Sequence, residues 1–249
     1  MFRTYQEIYN TRGGLYHRAM EECPAARARE FELLVATANL RRDQVCILDI
    51  PSGGGYLRTY LPNHVRLVSA DPADRFLHAG NHPHEDGIVC AQHDDLPFGD
   101  GTFDAVLSLA GMHHLDDHAA VFREWHRILK PGGTLAVGDA VKGSPTSRYL
   151  DGVVHQFNTM GHHGNYFDED VCNHLRGCGF TAVTGQEHTY TWDFADTAEM
   201  LQFCRTLFGL DRNPSDADLL TGISDTVGYH TDDRGAHLNW SLMFIRATA

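Results

Sequence analysis

The sequence predicts an α/β fold built on a parallel, doubly wound sheet. Three observations carry that expectation: five short apolar runs of strand character, helical patterns alternating with them, and a glycine-rich stretch directly after the first run. The runs are VCILDI (45–50), VRLVSAD (65–71), GIVCA (87–91), FDAVLSLA (103–110) and GTLAVGDA (133–140), apolar enough to be buried on both faces. Between the last two, DHAAVFREWHRILK places Val121, Phe122, Trp125, Ile128 and Leu129 on one helical stripe, with Pro131-Gly132-Gly133 as its stop signal.

Beyond residue 140 the spacing predicts helices at about 144–159 and 168–177 and a strand at 181–192. A further helix follows, with Met200, Leu201, Cys204, Leu207 and Phe208 on its apolar stripe, then a weaker one at about 215–226. HLNWSLMFIRA reads as the closing strand. Two helices inserted between the last two strands imply a cap, about 196–228, over one end of the sheet, where loops and ligands meet in such folds.

At 249 residues and 42% hydrophobic content the chain suits one domain. Residues 1–40 are read as leading helices, 41–140 as the ligand-binding core and 141–249 as the substrate half. The formal charge of -13, without any block of Lys or Arg, argues against nucleic acid or an anionic membrane as partner. The opening MFRTYQEIYNTRGG lacks the apolar core of a signal peptide and no run approaches membrane-spanning length, so a soluble, cytoplasmic protein is expected. Six cysteines without a C-x-x-C pair are expected to be free thiols.

Gly53, Gly54 and Gly55 follow the first strand, where glycine lets the backbone turn sharply and approach a ligand. A G-x-G-x-x-G fingerprint would need a third glycine where Arg58 stands, and Tyr56-Leu57-Arg58 does not supply the Gly-Lys-Ser/Thr of a phosphate loop. Asp49 ends the first strand and Asp71 the second, the latter well placed to accept from both hydroxyls of a ribose. The plainer alternatives are a tight turn for the glycines and, for Asp71, a cap for a helix starting at Pro72-Ala73-Asp74; the two roles of Asp71 can coexist.

Taken in order, LDIPSGGG, SADP, AQHDDLPFGDGTFDAVLSLAGMHHLDD and REWHRILKPGGTLAVGD resemble the motifs of the class I S-adenosylmethionine (SAM) dependent methyltransferases, over about residues 40–140. The resemblance implies a Rossmann-like, seven-stranded, mostly parallel sheet with helices on both faces and an antiparallel last strand, SAM as cofactor, and an N-terminal lid helix. Carried onto this chain, it implies a cofactor site of Asp49, Pro51, Ser52, Gly53, Gly55, Asp71, Pro72, Gln92, His93, Leu109 and His114, with Arg12 and Tyr16 supplied by the lid. Two positions depart from the family pattern: Pro51 replaces the first glycine of the loop, removing an amide donor, and Gln92 replaces the aspartate expected to receive the adenine amino group.

His113 and His114, just past the fourth strand, are the candidate catalytic residues; general base, cofactor packing and polar loop all remain open for them. Tyr9, His17, His155, His162 and His163 are expected on the acceptor side, although the leading segment could equally be a surface helix with aromatic packing. No metal site is expected, because adjacent histidines diverge in regular structure and no H-E-x-x-H spacing occurs. Asp94 and Asp95 read as a solvated turn. The function expected from the resemblance is methyl transfer to a small-molecule or carrier-tethered acceptor by in-line displacement, from a monomer or homodimer. Carboxymethyl transfer or decarboxylation on the same fold, or a catalytically silent SAM-binding regulator, are the alternatives.

Overall fold

A computed structural model describes residues 4–42, 44–80 and 86–249. Its sheet is formed by β1 (Cys46–Asp49), β2 (Arg66–Asp71), β3 (Gly87–Cys90), β4 (Phe103–Leu109), β5 (Leu129–Asp139), β6 (Thr181–Phe194), β7 (Tyr229–Asp232) and β8 (Gly235–Thr248). The order is β3-β2-β1-β4-β5-β8-β6, with β7 paired to β8. Strands β1 to β5 pair in parallel, and β8 runs antiparallel to β5, β6 and β7. The order reverses beside β1, which puts a crevice at the carboxyl ends of β1 and β4.

Alternation along the strands divides the core between two faces. Ile47, Ala105, Leu107 and Ala136 pack on one side with Leu34 and Ala38 of α2 (Ala28–Ala38). Leu48, Val106, Leu135 and Val137 pack on the other with the stripe Val121, Phe122, Trp125 and Ile128 of α4 (His118–Ile128). Asp117 caps α4 by accepting from the Ala120 amide at 2.9 Å. The helix stops at Ile128, before the expected Lys130. Leu129 already pairs with Phe103, and the next pair is Ala105 with Thr134, so Pro131-Gly132-Gly133 is an irregularity inside β5 and not a break ahead of it.

The leading segment is α1 (Tyr5–Glu22), opened by a Thr4–Glu7 capping box, followed by α2. A short α3 (Asp74–Leu77) follows β2, and α1 packs against it. The expected helix at 144–159 is α5 (Pro145–Tyr149), a π-turn (Leu150–Val154) and α6 (His155–Phe157), capped by Ser144. Helix α7 (Val171–Gly177) precedes β6. Between β6 and β7 lie α8 (Thr197–Phe208) and α9 (Asp216–Asp225); α8 contacts α1 and β8, and α9 contacts the π-turn.

Seven strands were expected, and eight are present among the described residues. The addition, β7, is a four-residue polar strand turned into β8 at Asp233-Arg234, with Gly235 at φ +137°. All six cysteines are free. Among the described residues, no helix is long and apolar enough to cross a membrane.

Candidate functional site

Two chambers meet at the carboxyl edge of the sheet, and Tyr9, Tyr16, Arg27 and Ala110 line both. The first is built on the glycine loop and includes Asp49, Pro51, Ser52, Gly53, Phe76 and Leu109. The second is lined by His113, His114, His162 and Asp139 together with Trp192, Trp240 and Phe208. Ala110, directly after β4, takes φ +53°, a conformation rare for a non-glycine residue and characteristic of functional turns.

In the first chamber, Gly53 takes φ +54°, and a Cβ there would lie 2.8 Å from the Phe76 ring, so both the turn and the close approach require glycine. The Gly53 amide donates to Asp71 Oδ2 at 2.9 Å, the Ala73 amide donates to Oδ1 at 2.8 Å, and the Tyr5 hydroxyl donates to Oδ2 at 2.9 Å. Asp71 is fully buried. Burial raises its pKa to about 6 against the lowering effect of these bonds. It accepts from the amide of Ala73, the residue preceding α3, but no side chain caps that helix, so the capping role weighed from the sequence is not formed. Asp71 itself lies behind Tyr5 and Gly53, which line the chamber.

The aromatic face of α1 fills this end of the cleft. Tyr9 stacks on Phe76 at 5.0 Å, Tyr16 packs edge-on to Phe76, and Tyr5 stands edge-on to His93 and His114. His93 is buried, and burial pushes its pKa down to about 3; its Nε2 has no protein partner. Gln92 is exposed and its amide contacts Gln6, while Asp94 and Asp95 are exposed. Pro72 lies beyond Asp71, its carbonyl facing the Cys90 thiol.

Arg12 is buried over the Tyr9 ring and donates through Nη1 to the Phe208 carbonyl at 2.8 Å, but its Nε has no protein partner. Tyr16 takes a different partner, the guanidinium of Arg27. Arg27 in turn pairs with Glu30, and both are buried; Glu30 also accepts from Trp192 Nε1 at 2.7 Å and the Tyr190 hydroxyl at 3.0 Å.

The second chamber gathers histidines from separate segments. His113 and His114 sit in the 3₁₀ turn after β4. His113 Nδ1 lies 2.7 Å from Asp139 Oδ1, and the His113 amide donates to Oδ2 at 3.1 Å, which fixes the ring against the last residue of β5. Burial would raise the Asp139 pKa, but His113 and the surrounding amide bonds outweigh it and hold the carboxyl below its ordinary value.

His162 Nδ1 lies 3.0 Å from Asp151 Oδ1, which also accepts from the Tyr166 hydroxyl at 2.7 Å. Burial pushes the His162 pKa down to about 4. His114, 3.3 Å from the Tyr9 hydroxyl, is held well below its ordinary value by burial first and then by the basic side chains around it, Arg12 among them.

Of the expected acceptor-side residues, Tyr9 and His162 line this chamber, and His17, His155 and His163 do not. His17 bonds the Tyr56 hydroxyl and faces Glu21. The His155 ring is turned back onto the His162 backbone, and His163 is exposed against His155. Sequence reasoning overlooked Tyr5 as a partner of Asp71, and it missed Asp139, Asp151 and the Arg27–Glu30 pair. One usable signal was an acid closing an otherwise buried strand, the feature that singled out Asp71 and that Asp139 shares.

Residues 48–137 match the family model described as a methyltransferase domain. The demethylmenaquinone methyltransferase of Corynebacterium urealyticum is 38% identical over 94 residues, covering 37% of this chain and 40% of that protein. The 27-O-demethylrifamycin SV methyltransferase of Amycolatopsis mediterranei is 32% identical over 102 residues, covering 37% and 38%. The chain thus spans about two fifths of the length of these relatives. Among solved structures, a SAM-dependent methyltransferase of Thermotoga maritima, described as a possible histamine N-methyltransferase, superposes with a TM-score of 0.63 at 16% identity over 98% of both chains.

Proposed function

We propose that this chain, which carries a class I S-adenosylmethionine-dependent methyltransferase domain, transfers the methyl group of SAM to an ionisable group of a small or carrier-tethered acceptor, with His113 as the base. The observation that carries the reading is the 2.7 Å bond between His113 Nδ1 and buried Asp139, at the carboxyl ends of neighbouring strands, in a chamber that shares a wall with the glycine-loop cleft.

The first chamber fits SAM on its own chemistry. The Asp71 carboxylate already accepts a hydroxyl, that of Tyr5, which is the donor type a ribose presents. Of the buried nitrogens without protein partners, Arg12 Nε belongs to a residue of the second chamber's wall and is suited to a carboxylate, while His93 is outside the lining of both chambers. Asp71 and the Gly53–Gly55 turn would hold the ribose end, Gln92 and His93 the base, and Arg12 with Tyr9 the amino-acid end. When bound, SAM supplies an electrophilic methyl on a sulfonium.

The rest falls to the protein. Asp139 fixes the His113 tautomer with the proton on Nδ1, leaving Nε2 to take a proton from the acceptor. Trp192, Trp240 and Phe208 offer the acceptor an apolar bed and exclude water while its nucleophile is aligned. His114 is a poor base, because its environment opposes protonation. The acidic chain and its free thiols suit a small-molecule enzyme of the cytoplasm.

The test is turnover of SAM with phenolic, enolic and carboxylic acceptors, read by product mass. A mass gain of one methylene unit, lost in Asp71→Ala, supports the reading. A carboxymethyl adduct, or tight SAM binding with no turnover of any acceptor, overturns it.

A further inference from the structure

We propose that His113, His114 and His162 form a binding site for one divalent late first-row transition ion of the Zn²⁺ and Co²⁺ type, with an open coordination position facing the second chamber. One ligand nitrogen from each of the three rings lies within 4.8 Å of the others. The rings approach in every pairing, with centroids 4.2, 5.3 and 5.5 Å apart. Three imidazoles on one centre are a complete protein ligand set for an open Zn²⁺ site, in which the fourth position is left to water or substrate. Metal–nitrogen bonds of about 2.0–2.1 Å would draw the nitrogens somewhat closer than they stand.

The surroundings of the cluster make the stronger argument. In metal sites a ligating histidine gives its other ring nitrogen to a carboxylate, which sets the tautomer and raises the basicity of the ligand nitrogen. Two of the three rings have that arrangement, from two unrelated parts of the chain. Asp139, at the end of β5, takes His113 Nδ1 at 2.7 Å, and Asp151, in the π-turn, takes His162 Nδ1 at 3.0 Å. Each leaves Nε2 as the free lone pair. Tyr166 donates to the same Asp151 oxygen and fixes the carboxylate in turn.

Lone pairs that converge from three rings are a ready ligand set for one cation. Arg12 also lines the chamber, and the carboxylates of Asp139 and Asp151 offset the added positive charge. The Tyr9 hydroxyl, 3.3 Å from His114 Nε2, brings an oxygen to the edge of the site. All three histidines lie in the chamber wall, so a fourth ligand would enter from the chamber, where an acceptor oxygen could take the place of water.

The sequence argument against a metal, that adjacent histidines diverge, concerned His162 and His163; the structure groups His162 with the pair after β4 and leaves His163 outside. With an ion in place His113 would be a ligand and not the base, and the acceptor's proton would pass to solvent because coordination lowers its pKa. An occupied metal site would therefore replace His113 as the base while leaving methyl transfer itself standing, and a Co²⁺ titration run without SAM or acceptor decides between the two roles of His113.

The test uses the full chain, stripped with a chelator and titrated with Co²⁺ in the absence of SAM and acceptor, followed by displacement with Zn²⁺. The expected result is one equivalent of Co²⁺ with the intense visible absorption of a low-coordinate site. His162→Ala should abolish it, Asp151→Asn should weaken it by about 10–100-fold, and His230→Ala, an exposed control, should leave it unchanged. Circular dichroism and SAM binding check that the variants are folded; if His162→Ala is not, Asp151→Asn and His114→Gln decide. Absence of that absorption in the wild type, or equal Co²⁺ affinity in the wild type and the folded variants, overturns the proposal, the chain's other histidines then accounting for any bound ion.

Discussion

The hydroxyl of Tyr5, in the first turn of α1, donates to the buried carboxylate of Asp71 at the end of β2, across 2.9 Å. A side chain from the leading helix therefore stands on the acid proposed to receive the ribose, and cofactor and tyrosine compete for it. Tyr5→Phe is expected to tighten SAM binding by about 0.5–1.5 kcal/mol, the net worth of one hydrogen bond, and Asp71→Ala to weaken it by about 1.5–3 kcal/mol. Isothermal calorimetry measures both. Weaker binding in Tyr5→Phe would mean that the hydroxyl assists the cofactor.

Because burial lifts the Asp71 pKa to about 6, the same acid makes binding depend on pH. The ionised carboxylate accepts from both ribose hydroxyls and the protonated one from fewer, so SAM affinity should be flat above about pH 7 and fall as the pH drops through about 6. Stability should move the other way. The contribution of a group whose folded pKa is raised is fully present below its unfolded pKa and is lost as the pH rises through the folded value. A SAM affinity unchanged between pH 7 and pH 5 in the wild type would remove Asp71 from the ribose.

Replacing the proposed base should separate the two neighbouring histidines. His113→Ala is expected to lower kcat by roughly 10²–10⁴ for a phenolic or enolic acceptor, with a smaller effect for His114→Ala. Asp139→Asn should lower kcat more than it changes KM, because it disturbs the His113 tautomer while keeping the size of the side chain in the chamber wall. Equal effects of His113→Ala and His114→Ala would count against the assignment.

The buried Arg27–Glu30 pair offers a test of stability away from the chemistry. Glu30→Ala strands the guanidinium and removes the acceptor of Trp192 and Tyr190, so unfolding in urea should show a loss of about 3–5 kcal/mol. The double variant Arg27→Met/Glu30→Leu should cost less than Glu30→Ala alone, and a larger cost would show that the pair is itself net stabilising.

Strands β1 to β5 and the glycine loop were legible because each is a local pattern: a continuous apolar run, an acid at its end, glycines after it. The seventh strand of the chain, Tyr229–Asp232, was not, because its residues are polar, few and without alternation, and it exists only through pairing with β8. The site divides along the same line. Asp71 could be placed by its distance from Asp49, whereas Asp151 acquires meaning only when the fold sets it beside His162, and Glu30 only when β6 brings Trp192 to it. Pro131-Gly132-Gly133 shows the converse: a strong local signal for a break was absorbed by the pairing of β4 with β5.

Tyr9, Tyr16, Arg27 and Ala110 belong to the wall of both chambers. A partition shared by two sites makes their occupancies thermodynamically linked: whatever arrangement of that wall one ligand prefers, it imposes on the other. If cofactor settles the wall in the form that an acceptor requires, it tightens the acceptor, and the acceptor tightens the cofactor by the same factor. The dissociation constant of either ligand is then a function of the concentration of the other, and saturation kinetics would show it as a substrate KM that changes with the level of SAM.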